Sequence, residues 1–553
     1  MLMGTASSIM LQFGNKGSVE GNYRRSRAPV SKRPLPHRAT RFPRGQHGQS
    51  MLQHQVTLVT EIVPASHAPL RANSARRLTR LWFIGGMFIL MSYANLAAQP
   101  QSIKARISVV SLKPPRVRVE AEREQGAKVW SFRNEYAGIV GLGERIENLS
   151  LSDTKGSEIA ARKRASGEYE AAREATKISY EIKLDPPRST NETAHASWLM
   201  GVRGVLMPGD LLPLSTARAN LTLTLPADWK VATVEKRNGV GQYVIEDAES
   251  SIFFVGADLR VRQASVSGMK YMFATAGEWA FADEDVVGLV GDILEKHARI
   301  NGSVPRKNAL ILLAPFPQTS DASRWSAETR GETVFFLSGR STSKAAGLAR
   351  LSVPLSHEIL HLWVPNALAL SGDYAWFYEG FTVYQSMRAS VELGHLTFQD
   401  YLDSLARSYD NYLAERQRDK YSLVETSARR WEGTSSLIYH KGMLVAALYD
   451  LTVRRNSRGK RSLDDVYRAL FRLHRAGVES REGNAAVIAA LNSVAGASDF
   501  SKRYIESASP LDLTNALDTF GLKVESRGAG TRINVADSIS RAQRDLLRQM
   551  GYN

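Results

Sequence analysis

The spacing of apolar residues changes once along this chain, and that change limits the folds open to it. From Ser102 to about residue 270, apolar and polar residues alternate. "ISVVSLKPPRVRVEAE", "SYEIKLDPP" and "ANLTLTLPADWKVATVE" all do so, the last with Leu221, Leu223 and Leu225 on one face, and "QYVIED" and "SSIFFVGADLRVRQ" follow. Period two marks half-buried strands, and the intervening Pro-Pro, Pro-Gly and Asn-Gly pairs mark turns. One stretch, "EYEAAREAT" (168–176), breaks the pattern with the composition of a helix or loop. After about residue 275 the period becomes helical over 284–300. Two continuous apolar runs, "NALILLAPF" (308–316) and "ETVFFLSG" (332–339), read as buried strands. Helices are expected at 354–363, 374–392, 398–416, 435–455 and 462–475. The fold class is therefore α+β and multidomain. It comprises a β-sandwich-like domain at 102–270, an α/β domain at 275–395, a helical part at 396–525 and a tail at 526–553.

Charge is unevenly placed. The 553 residues carry a formal +17, but residues 1–80 hold 13 Lys+Arg against 2 acids, leaving 59 basic and 53 acidic groups for the rest. No basic patch interleaves with aromatics, so no nucleic-acid partner is expected. Residues 1–75 read as a disordered arm or as sequence upstream of the true start. In 76–98, Arg76, Arg77 and Arg80 precede an apolar run from Leu81 to Leu96, and Ala97 and Ala98 follow. That is the order of a secretory signal, so the protein is expected to be exported, periplasmic or secreted. If residues 81–98 stay uncleaved they form a membrane anchor, although the run is short for the ~20 residues of a spanning helix. Cysteine is absent, which excludes disulfides, thiolate ligands and a cysteine nucleophile.

The chemistry concentrates in "PLSHEILHLWVPN" (354–366). On a helix with Pro354 in its first turn and Pro365 beyond its end, His357 and His361 project from one face a turn apart. Two imidazoles so placed can hold one Zn²⁺, and Glu358 beside them can take a proton from a metal-held water. H-E-x-x-H arises by chance in about one such chain in a hundred. The helix is otherwise apolar, however, and two buried histidines and a buried glutamate need partners. Either a metal or mutual hydrogen bonding would supply them. A third ligand is available in "SGDYAWFYEGFTVYQS" (371–386). There Glu379 sits among Trp376, Phe377, Phe381 and Val383 on a second helix, with Asp373 as its N-cap and Gly380 relieving crowding.

These residues resemble the gluzincin metallopeptidases, most of all the glycyl aminopeptidase family, peptidase family sixty-one. "HEILH", 17 intervening residues and "EGFTVY" match its core. "HLWVPN" resembles the continuation seen in related aminopeptidases. "LIYHKGMLVAALYDLTVRRNSRGKRSLDDVYRAL" (437–470) is similar to the family's Y-x-K-G helix and S-L-D-D segment, and the likeness spans roughly 105–525. The resemblance implies a thermolysin-like catalytic domain with one zinc per chain on His357, His361 and Glu379. Glu358 would be the general base, and Tyr439 would donate to the oxyanion; Lys441 reads as a surface or C-cap residue. The substrates implied are peptides, with an aminopeptidase the first expectation. An endopeptidase of the same clan and a non-catalytic exported metal-binding scaffold are the alternatives. The family's amine anchor lies in a strand resembling G-G-L-E-H. The best match here is "WSAETRGETVFF" (325–336), with Glu328 at the glutamate, Ser326 for a glycine, Thr329 for the histidine and Glu332 nearby. The site is expected in the cleft between the domains.

Overall fold

In a computed structural model that describes residues 101–528 and 530–553, four layers follow one another, and the order of the layers explains where the site lies. The first is a nine-stranded sheet in which Gln101–Leu112 and Thr216–Thr224 run parallel while the remaining pairs are antiparallel. Its inward residues, Ile107, Val119, Tyr180 and Leu221 among them, share a core with Leu206, Phe253 and Val255 of a four-stranded sheet. The next residue along, Phe254, faces the other way and packs with Leu310, Leu312, Phe335 and Leu337 of a five-stranded sheet. Period-two alternation thus carries burial through both faces of the small sheet. The far face of the five-stranded sheet, through Ile311, Val334 and Phe336, meets the helices in the largest core.

The five-stranded sheet has Met269–Thr275, Asn308–Pro315 and Thr333–Ser338 parallel, with Arg260–Val266 and Trp325–Arg330 antiparallel at its two edges. Parallel strands covered on both faces are apolar throughout, which is why 308–316 and 332–339 stand out in the sequence. This sheet starts at Arg260, so the sandwich's own strands end with Phe253–Gly256, earlier than residue 270.

Three expectations meet a different structure. "EYEAAREAT" lies in the strand Glu168–Lys183, paired along its length with Pro115–Ser131; Tyr169, Ala171 and Ala175 are buried, and this pairing overrides the helical preference of Glu and Ala. The histidine-bearing helix runs from Lys344 to Leu360, capped by Ser343, so Pro354 falls inside it. The tail is folded: strands Leu522–Arg527 and Gly530–Val535 pair, and Leu546 and Leu547 of the last helix and Met550 in the turn after it are buried in the main core. The leader and the signal or anchor at 76–98 lie outside the described residues. Among the described residues no helix is long and apolar enough to cross a membrane.

Candidate metal centre

The helix Lys344–Leu360 lies on the helical face of the five-stranded sheet and carries His357 and Glu358; His361 is its C-cap. His361 Nδ1 is 2.9 Å from the carbonyl of Val364. With the proton on Nδ1, that bond leaves Nε2 as the donor atom. His361 Nε2 lies 3.1 Å from His357 Nε2. Glu379 Oε2 lies 3.4 Å from His357 Nε2 and 3.6 Å from His361 Nε2. Ligands at ~2.0–2.1 Å on a tetrahedral zinc stand about 3.3 Å apart, so the three atoms already have the edges of such a site. Among the described residues, these three side chains form a group of metal-type donors whose atoms all lie within 4.8 Å of one another. The residues present fit a zinc ion.

Glu379 sits in a wide helical turn, Trp376–Phe381, that continues as the helix Thr382–Glu392; the turn is capped at Ala375, two residues after Asp373. Such turns displace a side chain from the regular helical ladder and recur at functional sites. The long helix Ser435–Ser457 crosses directly over it. A Cβ on Gly380 would come within 2.4 Å of the Ile438 carbonyl oxygen and 2.6 Å of Gly442 Cα, so the backbones touch at two glycines. Tyr439 and Lys441 ride on this helix. Both are buried, Lys441 fully, with its ammonium lowered by burial and 3.5 Å from the Ser509 carbonyl rather than at the surface.

The second oxygen of Glu379 lies 3.3 Å from the buried guanidinium of Arg430, whose other nitrogen donates to the Tyr378 hydroxyl at 2.9 Å. Burial works against the charge on Arg430, but Tyr378, Glu379 and Tyr439 outweigh it and raise its pKa. Burial works against the charge on Glu379, but the two histidines and Arg430 outweigh it and hold the carboxyl far below the usual range. His357 is lowered by burial. His361 is raised, because Glu379 and Glu358 outweigh its burial. Burial pushes Glu358 up to about 7; a bound cation would lower it again.

Trp325–Arg330 separates the site from the sandwich, and its alternation sorts the residues. Thr329 faces the site helix and bonds Glu358. Ser326, Glu328 and Arg330 face the other way: Ser326 reaches the Asn191 carbonyl and Arg330 reaches the carbonyls of Glu249 and His195. Glu328 is fully buried. One oxygen accepts from the Tyr136 hydroxyl and from Arg330 Nε at 2.7 Å; the other lies 2.7 Å from His195 Nδ1 and 3.1 Å from an Arg330 terminal nitrogen. Burial would raise its pKa, but Arg330 and His195 bring it down to about 2. The expected amine anchor is thus a strand-to-sandwich link whose acceptor positions, about four on a carboxylate, are all engaged. Glu332 pairs with Arg306 at 3.8 Å instead. In the sequence Thr329 stands out only as the residue in place of the motif's histidine, and Arg430 not at all, because each bonds a residue far away in the chain.

The sequence profile of the M61 glycyl aminopeptidase family matches residues 351–445, a span that contains His357, Glu358, His361, Glu379 and Tyr439. Residues 351–445 form a zinc-metallopeptidase core. The fold around this core is similar to that of an aminopeptidase N family protein from Idiomarina loihiensis, at 19% identity over 77% of this chain and 79% of that one, with a TM-score of 0.65. An M1 zinc metallopeptidase from Deinococcus radiodurans gives 14% identity over 75% of this chain and 95% of that one, with a TM-score of 0.48. A comparison with curated protein sequences finds no match.

Proposed function

We propose that this protein is an exported zinc peptidase that hydrolyses peptide bonds without anchoring a free amino terminus at Glu328. The observation that carries the hydrolytic reading is the convergence of His357, His361 and Glu379 at tetrahedral-edge distances, with Glu358 buried beside them. These three side chains would hold the ion. Zinc, when bound, acts as a Lewis acid that polarises a carbonyl and makes a water acidic near pH 7. Glu358 takes the water's proton at Oε1 and returns it to the leaving amine. The Tyr439 hydroxyl supports the charge that develops on the carbonyl oxygen. A scaffold that merely bound metal would have no use for the complete set of base and donor.

Aminopeptidase action is favoured by the family resemblance, whose name is glycyl aminopeptidase. Cleavage indifferent to the amino terminus is favoured by the engaged oxygens of Glu328: a substrate ammonium would have to displace Tyr136, His195 or Arg330. A peptide library made in free and N-acetylated forms separates the two. Equal cleavage of both is the expected result, and cleavage of the free forms alone would return Glu328 to the role of amine anchor. A chelator should abolish turnover and added zinc restore it; a metal-free, chelator-indifferent protein would remove the peptidase reading altogether.

Export rests on Arg76, Arg77, Arg80 and the apolar run before Ala97 and Ala98. The mass of the mature protein, isolated from the compartment where it accumulates, tests it. A chain starting near residue 99 is expected; retention of residues 81–98 in a membrane fraction would make them an anchor.

A further inference from the structure

The two oxygens of the Glu358 carboxylate have different surroundings. Oε2 accepts from the Thr329 hydroxyl at 2.9 Å. Oε1 is buried and has no hydrogen-bond partner among the described residues. The same hydroxyl stands 2.9 Å from the backbone carbonyl of Glu358, so its one proton serves either the carboxylate or the main chain. Thr329 is itself well placed to hold a direction. It is buried, its β-branch restricts χ1, and the Asn366 amide lies 3.4 Å from its carbonyl. The residues on either side of it are locked to the sandwich, Glu328 through Tyr136 and His195, and Arg330 through the carbonyl of His195.

We propose that Thr329 is a positioning residue for the general base: its hydroxyl fixes Glu358 through Oε2 and leaves Oε1 as the oxygen that accepts the proton. The inference rests on the peptidase reading of Glu358. A carboxylate free to turn would spend time with neither oxygen aligned, and misalignment of a reacting group by about 1 Å can cost about 100-fold in rate. Thr329→Val keeps the shape and removes the hydroxyl; Thr329→Ser keeps the hydroxyl.

The test compares both variants with the wild type for zinc content, thermal unfolding, and kcat and KM on one peptide. Thr329→Val should retain one zinc and lose about 10- to 100-fold in kcat with little change in KM. Thr329→Ser should restore kcat. A crystal structure of metal-free Thr329→Val should show the Glu358 carboxylate turned from its wild-type orientation, a readout that needs no turnover. The inference is overturned if Val and wild type share kcat, if Ser is as impaired as Val, or if the loss lies in KM alone. If Val does not fold, Thr329→Ala against Thr329→Ser makes the same comparison. A zinc-loaded wild type with no turnover removes the peptidase reading and this inference together, whereas an active wild type with an unaffected Val variant removes only the inference.

Discussion

At the residue scale the site consists of carboxylates whose oxygens are assigned different partners. Glu379 turns Oε2 to the histidines and its other oxygen to Arg430; Glu358 turns Oε2 to Thr329, while its Oε1 has no hydrogen-bond partner among the described residues. Such partners orient a ligand or a base as firmly as its own helix does. Replacing Glu358 by Gln preserves shape and removes the basic oxygen. The variant should keep one zinc by metal analysis and lose about 10²- to 10⁴-fold in kcat, the range of a lost general base. Turnover within a few-fold of wild type would take Glu358 out of its role. His357, Glu358, His361 and Glu379 were legible in the sequence, because two helical segments with polar residues in apolar surroundings declare their chemistry locally. Thr329 was not, since its partner lies 29 positions on and a threonine in a strand is unremarkable by composition. Glu328's link to Tyr136, 192 positions away, lies outside any local window for the same reason.

At the element scale the contact that matters is between the wide turn Trp376–Phe381 and the helix Ser435–Ser457. Gly380 and Gly442 bring the two backbones together, and this brings Tyr439 and Glu379 onto neighbouring surfaces. Gly380→Ala should therefore lower stability by about 1–3 kcal/mol, the usual cost of overpacking. It should also weaken zinc affinity, because the turn carrying Glu379 is what must shift. Thermal unfolding and a zinc competition titration check both effects, and a variant with unchanged zinc affinity would separate the crossing from the ligand. The element types were readable where the pattern was long: Asp283–Asn301, Phe398–Ala414 and Leu463–His474 match the expected helices closely. The strand Glu168–Lys183 was not, because pairing across the sheet, which no local window contains, decides its conformation.

At the scale of the whole molecule, the sandwich and the catalytic layers are joined by a buried ionic cluster as well as by apolar packing. Tyr136 lies between the guanidinium groups of Arg133 and Arg330, each 4.6 Å from its ring centroid, and its hydroxyl donates to Glu328. Glu328 has a folded pKa of about 2 against an ordinary 4.5. A depressed acid stabilises the fold above its unfolded pKa and stops doing so as pH falls through the folded value. The contribution is of the order of 3 kcal/mol, complete above about pH 4.5 and gone near pH 2. Glu328→Gln also leaves Arg330 without its carboxylate. The stability gap between that variant and wild type, measured by denaturant unfolding, should be widest above pH 4.5 and narrow toward pH 2; a gap that does not change with pH would mean that Glu328 is not ionised in the fold. The edge strand Trp325–Arg330 is where this link and the site helix meet, on opposite faces of six residues. Length changes within that strand are consequently disruptive. One inserted residue would send a hydroxyl to the sandwich and a carboxylate toward the base, undoing both attachments at once, whereas an insertion of two would restore the order of the faces.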